Sequence, residues 1–410
     1  MKVPVWYSDN NVDITLPDRG NVKVFDLPSK RLQPLSTSHW LSTGDTPLEL
    51  REFLARAQRL VTVVNDAHRP TPTARILGAI KEHIRFESTR FLVATGLHSP
   101  KTSAPQERLF GDLPIAGNLV VHDAYDEDSL CTFGLGSSSI KLNRVFDWCD
   151  AILIVGSVEP HYFAGFTGGR KIVLPGCASF ADVERNHALA VQAGSQPLAR
   201  NGNPVWEDSQ TRTRALDSKS RYAIQVVCDH EGNMFYASHG DWDLSYQQAC
   251  EFVIANYAYD VSEKYDVVIS VVYPPLDRNL YQLQKSYENV AAVVRDGGTI
   301  LLLSACLDGI GDDRFLKIAK SLSHSGEITG DGNESLIMGI HKVRRTIALA
   351  KRVDLVLCSK LDSLLLDHLP ITARTNVQAA IDEAVAKYGD NCRIAVVLDA
   401  GSQVLYHHAA

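Results

Sequence analysis

The chain has 410 residues, of which 45% are hydrophobic and 22% are charged, which is typical of a globular protein large enough for two domains. Its formal net charge of -7 argues against a nucleic-acid partner, because proteins that bind nucleic acids usually present a basic face. No run reaches the roughly 18 apolar residues of a membrane span and no signal peptide is evident, so we expect a cytoplasmic protein without a membrane partner.

Apolar runs alternate with segments of helical spacing through the first 258 residues. Strands are predicted at 22–25, 60–64, 91–93, 118–121, 151–155 and 223–227. Helices are predicted at 47–58, 73–82, 180–191 and 244–255, and Asp45 or Thr46 is available to cap the first of them. Strands that alternate with helices indicate an α/β sheet whose functional loops lie at the strand ends.

A second alternating series follows the segment around residue 258. Its predicted strands are 267–272, 299–303, 355–358 and 394–398, and its predicted helices are 279–294, 313–321, 340–351 and 376–387. The sequence therefore predicts the α/β fold class with two α/β domains, 1–258 and 259–410. We expect an active-site cleft between them, since ligands often bind at such places.

The eight cysteines are scattered through the chain without a CxxC pair, and several lie in apolar runs. This pattern favours buried, reduced thiols over a disulfide framework or a zinc site built from cysteines.

Two loops at predicted strand ends carry polar side chains. In the loop 65–72, Asp66 and Arg69 lie three residues apart beside Pro70 and Pro72, so a carboxylate and a guanidinium could face one ligand. A helix cap with a local salt bridge explains the same residues equally well. The next loop, 94–100, has His98 at its tip, and a single loop histidine is more often a solvated side chain than a base.

The segment 159–187 concentrates charged and glycine residues after the buried strand 151–155. It contains His161, several glycines, Lys171 and then His187 on a helix opened by Ser179 or Asp182. A phosphate-binding P-loop is rejected, because the spacing differs and Ile172 follows the lysine. The lysine and His187 could share one ligand, although a surface histidine and a lysine that reaches into solvent are also plausible.

In the second domain, a helix predicted to begin at Asp277 or Asn279 carries Gln282 and Lys285 on one face. A lysine in the first turns opposes the helix dipole, which indicates a compensating anionic ligand, whereas an exposed amphipathic face is the simpler explanation. The glycine-containing stretches 306–311 and 329–332 are predicted to form turns.

Taken together, these motifs resemble the nickel-pincer lactate racemase family over nearly the whole chain. The motifs that carry the resemblance occur in family order and are DAHRPTP at 66–72, ATGLHSP at 94–100, EPHYFAGFTGGRKIVLPG at 159–176, RNH at 185–187, NGNPVWED at 201–208, LYQLQK at 280–285 and ACLDGIGDD at 305–313. Each motif is weak alone, but the ordered set is specific.

The resemblance implies a role for each candidate residue. Lys171 would be joined covalently to the nickel-pincer nucleotide, and His187 would be the protein ligand of the nickel. His98 and His161 would be the paired acid/base catalysts. The substrate carboxylate and the oxygen being oxidised would be bound by Arg69 and Lys285, with support from Asp66 and Gln282.

The implied activity is racemisation or 2-epimerisation of a small-molecule 2-hydroxy acid by reversible hydride transfer through a 2-keto acid. The C–H bond next to a carboxylate is a weak acid, so hydride removal by an electron-poor cofactor is the easier route. Two histidines would serve the two hands of the substrate. The resemblance also implies cofactor-biosynthesis enzymes as partners.

Two departures from the family bear on the substrate. His68 replaces the Thr that is common in the first loop, and the segment expected to form an aromatic wall reads MGIHKV at 338–343. His341 and Lys342 would make that wall cationic, which favours a malate-like or sugar-acid substrate over lactate. An exposed helix face is the alternative for these two residues.

Two other classes of function stay open from the sequence. The chain could be a hydrolase or lyase that uses an exchangeable metal at His187 or a Schiff base at Lys171. It could also be a non-catalytic protein that binds a nucleotide or an organic acid.

Overall fold

The protein is described by a computed structural model that covers residues 1–18, 21–36, 46–322 and 339–407. The strands in chain order are β1 (Lys2–Tyr7), β2 (Asn10–Thr15), β3 (Val22–Phe25), β4 (Leu60–Asn65), β5 (Thr89–Ala94), β6 (Leu119–Val121), β7 (Leu130–Phe133), β8 (Ile140–Asn143), β9 (Ala151–Ser157), β10 (Pro160–His161), β11 (Gly165–Phe166), β12 (Ser220–Cys228), β13 (Met234–Gly240), β14 (Ala258–Asp260), β15 (Tyr265–Val271), β16 (Val294–Leu303), β17 (Asp354–Cys358), β18 (Thr372–Arg374), β19 (Ile394–Val397) and β20 (Val404–Tyr406).

Helices connect most of these strands. In chain order they are α1 (Leu48–Arg56), α2 (Thr73–Ile80), α3 (Pro100–Ser103), α4 (Gln106–Phe110), α5 (Val145–Trp148), α6 (Phe180–Ala188), α7 (Pro204–Thr213), α8 (Trp242–Tyr257), α9 (Leu280–Val290), α10 (Asp313–Ser321), α11 (Ile340–Ala350) and α12 (Val377–Tyr388). Among the described helices, none combines the length and apolarity needed to cross a bilayer.

The chain forms two compact units, and each contains a largely parallel six-stranded sheet. Unit 1 comprises Met1–Arg31, Pro160–Tyr162 and Tyr257–Ala410, and unit 2 comprises Leu32–Glu159 and Phe163–Asn256. The predicted α/β fold class with two domains is therefore confirmed. The units are discontinuous in sequence, whereas the predicted domains 1–258 and 259–410 were consecutive, because β3 pairs in parallel with β19 and joins the start of the chain to unit 1.

The sheet of unit 2 has the strand order β13-β12-β9-β4-β5-β6. All neighbours are parallel except β12 and β13, which are antiparallel. The register aligns Val64 with both Val93 and Val155, so the carboxyl ends of β4, β5 and β9 lie at one edge of the sheet. The loops after β4 and β5 carry Asp66, Arg69 and His98, and Lys171 and His187 come later in the chain after β9.

The sheet of unit 1 is parallel throughout, with the order β18-β17-β16-β15-β19-β3. Successive side chains of β15 point to opposite faces. Val268 packs into the core that contains residues of α9, α10 and α11, whereas Val267 and Ile269 pack with α12 and the hairpin of β1 and β2. Helices therefore cover both faces of this sheet.

Several predicted helix boundaries differ from the structure. The first helix begins at Leu48 after Pro47, and no side chain caps it, so Thr46 does not serve as the predicted cap; Asp45 lies outside the described residues. α2, α6 and α9 end earlier than predicted and continue as short 3-10 turns, as helix ends commonly do. All eight cysteines are free, and all but Cys131 are buried.

Candidate functional site

Asp66 and His98 form a hydrogen-bonded pair at the sheet edge of unit 2. β4 and β5 are neighbouring parallel strands, and the loops after them bring His98 Nδ1 to 2.6 Å from Asp66 Oδ2. The Asp66 side chain is buried, whereas that of His98 is 47% exposed. A buried carboxylate therefore orients an imidazole whose other nitrogen remains accessible.

His68 lies beside this pair. Its backbone N–H donates to Asp66 Oδ1 at 3.2 Å, and its ring centroid lies 4.4 Å from that of His98 with 60° between the two planes. Burial lowers the pKa of His68, and the neighbouring His98 lowers it further, while Asp66 opposes the shift. The neutral imidazole is therefore favoured at this position.

Arg69 forms an ion pair with Glu159 and not with a carboxylate of its own loop. The alternative of a local salt bridge with Asp66 is wrong, because Arg69 Nη1 lies 3.5 Å from Glu159 Oε2. Glu159 Oε1 in turn accepts a hydrogen bond from Ser157 at 3.3 Å. Sequence reasoning did not single out Glu159, although it opens the histidine- and glycine-rich segment.

The glycines before Lys171 serve the packing of the protein itself. Gly168 and Gly169 have φ values of +77° and +54°, and a Cβ atom at Gly169 would lie 2.7 Å from the Tyr246 ring. A Cβ atom at Gly168 would meet Val158 at the same distance. These positions therefore require glycine because of the backbone conformation and close neighbours, and they do not form an open phosphate cradle.

Lys171 is half-buried on the 3-10 turn Gly169–Ile172 and borders a cavity that Trp206, Gln210 and Tyr246 also line. The neighbouring Arg170 is engaged by the protein, since its guanidinium pairs with Asp243 and Asp217 at 2.9 Å each. No Asp or Glu is among the described residues that line the cavity. Lys171 therefore presents an amine to a space without carboxylates.

His187 lies near the end of α6, which Ser179 caps by accepting a hydrogen bond from the Asp182 N–H, as predicted. Its ring makes an edge-on contact with Phe163, with 5.2 Å between centroids. The preceding Asn186 is buried and donates to Val205 O at 3.0 Å and to Asp208 at 2.9 Å, which ties α6 to α7. These bonds fix the helix turn that presents His187.

Gln282 and Lys285 lie on α9 in unit 1. The helix begins where the sequence predicts, after Asn279, whose side chain caps it by accepting from the Gln282 N–H at 2.9 Å. Lys285 is the sixth residue of the helix and therefore lies beyond the first turn. The unfavourable effect of the helix dipole on its charge is smaller there than the sequence analysis assumed. The side chain of Lys285 is buried, which makes the fully exposed amphipathic face wrong.

His161 and Lys342 belong to the same unit and are linked by aromatic side chains. The His161 ring is stacked on Tyr162 at 5.1 Å, and the Tyr162 ring lies 5.3 Å from Lys342 Nζ. Lys342 Nζ also donates to Tyr281 O at 2.9 Å and lies 3.9 Å from the centre of the Tyr281 ring. Sequence reasoning missed both tyrosines, although each directly adjoins a candidate residue.

His341 and Lys342 are buried on α11, so the alternative of an exposed helix face is wrong. Burial lowers the pKa of Lys342 to about 7, and the charges of Glu288 and Asp312 only partly oppose this effect. Glu288 forms a two-pronged ion pair with Arg345, with bonds of 3.0 and 2.7 Å. Within the described ranges, no carboxylate pairs with Lys342.

The candidate residues are thus divided between the two units. Unit 2 contains Asp66, Arg69, His98, Lys171 and His187, and unit 1 contains His161, Gln282, Lys285, His341 and Lys342. Met338, which begins the predicted wall, and the predicted turn at 329–332 lie outside the described residues.

The donor set of unit 2 fits a tethered nickel cofactor. Lys171 offers an amine that can form an amide-type bond, and the imidazole of His187 is a ligand that suits Ni(II). The described residues that line the small cavity beside Lys171 include no carboxylate, which removes one source of repulsion for a phosphate group near Lys171.

Comparison with known families and proteins identifies the family of both halves of the chain. Residues 7–197 match the family described as the lactate racemase N-terminal domain, and residues 261–405 match the lactate racemase C-terminal domain. The lactate racemase of Lactiplantibacillus plantarum is 28% identical over 373 residues, which cover 85% of each chain. That of Thermoanaerobacterium thermosaccharolyticum is 27% identical over 332 residues, which cover 74% of this chain and 77% of the relative.

Two solved structures share the fold. The lactate racemase apoprotein from T. thermosaccharolyticum has a TM-score of 0.85 and 22% identity, and the match covers 99% of this chain and 100% of that one. A protein from Thermotoga maritima has a TM-score of 0.65 and 16% identity, with 88% and 96% covered.

Proposed function

The chain belongs to the lactate racemase family, and from this premise we propose that it inverts the C2 centre of a 2-hydroxy carboxylic acid. Membership makes it a racemase, and hence an isomerase, at the level of the family. The observation that carries the finer proposal is the 2.6 Å hydrogen bond between Asp66 and His98.

This bond prepares His98 for proton transfer. The buried carboxylate of Asp66 accepts from Nδ1–H, so the neutral ring carries its lone pair on Nε2, on a side chain that is 47% exposed. Nε2 can take the hydroxyl proton of the substrate, and Asp66 then stabilises the imidazolium. We assign His161 the same task for the opposite hand of the substrate.

Arg69 and Lys285 are proposed to hold the substrate carboxylate and the oxygen being oxidised, and Gln282 supports them. The ion pair of Arg69 with Glu159 is long at 3.5 Å, so the guanidinium can form shorter bonds to a substrate carboxylate.

We propose that Lys171 is the covalent attachment point of a nickel-pincer nucleotide and that His187 is the protein ligand of nickel. When bound, this cofactor supplies the hydride acceptor that no amino-acid side chain offers. The carboxylate-free cavity beside Lys171 and the imidazole of His187 support this assignment. The enzymes that build the cofactor are then partners of the chain.

Lys342 is buried and its pKa is lowered to about 7, so a substrate with a second anionic or strongly polar group would stabilise its protonated form. Desolvation alone costs a buried cation several kcal/mol, and the described residues provide no carboxylate in an ion pair with it. A malate-like substrate would supply that charge, and a sugar acid would supply hydroxyl groups. Chiral separation after incubation with single enantiomers of malate, gluconate and lactate distinguishes them, and exclusive turnover of lactate contradicts the proposal.

Intact mass tests the function most simply. The chain is produced together with the cofactor-building enzymes, and we expect an added mass on Lys171 together with nickel. Lys171→Ala should carry neither, whereas Lys81→Ala, an exposed lysine of unit 2, should carry both. An unmodified and metal-free wild-type chain under these conditions would overturn the cofactor assignment and favour a hydrolase, a lyase or a binding protein.

A further inference from the structure

Asp66, His68 and His98 place one carboxylate and two imidazoles around a common point in unit 2. One ligand atom from each of the three lies within 4.8 Å of the others. The cluster lies at the ends of β4 and β5, and it does not include Lys171 or His187. We infer that it is a second metal site, which binds a divalent transition-metal ion such as Zn²⁺.

The distances suit such an ion after small side-chain rotations. Zinc binds His nitrogen and carboxylate oxygen at about 2.0–2.2 Å, so two ligand atoms of a tetrahedral ion lie about 3.3–3.6 Å apart. Asp66 Oδ2 and His98 Nδ1 lie 2.6 Å apart in their hydrogen bond and would separate by about 1 Å when the ion replaces the proton. One ligand atom of His68 lies within 4.8 Å of both. Three protein ligands would leave a fourth position for water, as in open zinc sites.

The chemistry and exposure of the ligands also favour a metal. Two imidazoles and one carboxylate select Zn²⁺, Co²⁺ or Ni²⁺ over Ca²⁺ and Mg²⁺, which prefer oxygen ligands alone. The Asp66 carboxylate is buried and supplies negative charge, and the half-exposed His98 provides an entry path. The nearby Arg69 cation is paired with Glu159, which reduces its repulsion of a metal ion.

His68 is the residue that completes the site. Its backbone N–H binds Asp66, but among the residues that the structure describes, none forms a hydrogen bond with its ring nitrogens. Substitution of this single residue should therefore remove the site.

Metal at this site would act as an inhibitor. An ion bound to Asp66 and His98 replaces the hydrogen bond that orients His98, so this base becomes unavailable. This consequence rests on the proposed function, whereas metal binding itself does not. The test below therefore measures binding on its own.

The chelator-treated 410-residue chain is titrated with Zn²⁺ by calorimetry, and with Co²⁺ by visible absorption. We expect His68→Thr to lose one bound ion per chain, or to bind it roughly 100-fold more weakly, since even outer-shell changes cost about 10–100-fold. His98→Ala should have the same effect, which guards against a folding defect peculiar to one variant. His187→Ala should retain this site even if the nickel assignment is wrong.

The exposed His83 of unit 2 provides the matched control, and His83→Ala should bind metal as the wild type does. Equal Zn²⁺ stoichiometry and affinity in the wild type and His68→Thr would overturn the inference. An equal loss in His83→Ala would do so as well, because it would indicate adventitious binding to surface histidines.

Discussion

At the scale of single residues, the roles of the histidines are set by their neighbours. His98 acquires an orientation because Asp66 is buried and hydrogen-bonded to it, and His161 is held against Tyr162. Neither partner was identifiable as such from the sequence. The sequence predicts Asp66 as a residue that supports substrate binding. In the structure its carboxylate is hydrogen-bonded to His98 Nδ1.

His98→Ala should lower turnover by roughly 10²–10⁴, because that is the usual contribution of a positioned acid/base group. The adduct on Lys171 should remain, since His98 takes no part in attachment. Steady-state kinetics and intact mass on the same preparation check both statements, with His83→Ala as the unaffected control. Normal turnover by His98→Ala would refute the assignment of this base.

Lys342 makes a prediction about pH. Its pKa falls from 10.5 to about 7 on folding because burial disfavours the ammonium. Between these values the unfolded chain binds a proton that the folded chain does not, so the free energy of unfolding rises with pH. The stability that Lys342 adds in this way is fully present above its pKa in the unfolded chain. It is lost as the pH falls through its pKa in the folded chain.

Lys342→Met removes this dependence. The free energy of unfolding of the variant minus that of the wild type should fall by roughly 3 kcal/mol between about pH 6 and about pH 9. The fall amounts to roughly 1.4 kcal/mol for each pH unit above about 7, because only the wild type becomes more stable with pH. Urea denaturation at the two pH values measures the difference. A constant difference between the two proteins would show that Lys342 keeps an ordinary pKa.

At the scale of elements, α9 connects local folding to the site. Asn279 caps the helix at 2.9 Å from the Gln282 N–H, and the same first turns present Gln282 and Lys285. Asn279→Ala should cost about 1 kcal/mol of stability. It should also raise the KM for the 2-hydroxy acid, because the cap fixes the position of Gln282.

A comparable cap elsewhere in unit 1 separates the two effects. Asn376 caps α12 by accepting from the Ala379 N–H at 3.0 Å. Asn376→Ala should lose similar stability with an unchanged KM. If both variants shift KM equally, the cap of α9 has no special link to the substrate.

The sheets were the most predictable elements, because their strands are short buried runs of branched apolar residues such as those at 60–64 and 394–398. The pairing of β3 with β19 was not predictable, because the two strands are separated by more than 360 residues in the sequence. The burial of Lys342 was equally hidden, because it depends on the packing of α11 against Tyr281 and Tyr162.

At the scale of the whole molecule, the resemblance of ordered motifs identified the family before any contact was known. The structure adds the reason for the glycines beside Lys171, because a side chain there would collide with Val158 or Tyr246. The net charge of -7 also means that an anionic substrate must be held by local cations, which Arg69 and Lys285 supply in this account.

The central claim is that the chain moves the C2 hydrogen of its substrate as hydride and returns the same hydrogen. Its most direct test is incubation of the loaded protein with one enantiomer of malate that carries deuterium at C2. Chiral separation and mass spectrometry then measure the label in the opposite enantiomer. We expect the product to keep its deuterium, whereas replacement of deuterium by solvent hydrogen would contradict hydride transfer and indicate proton abstraction at C2.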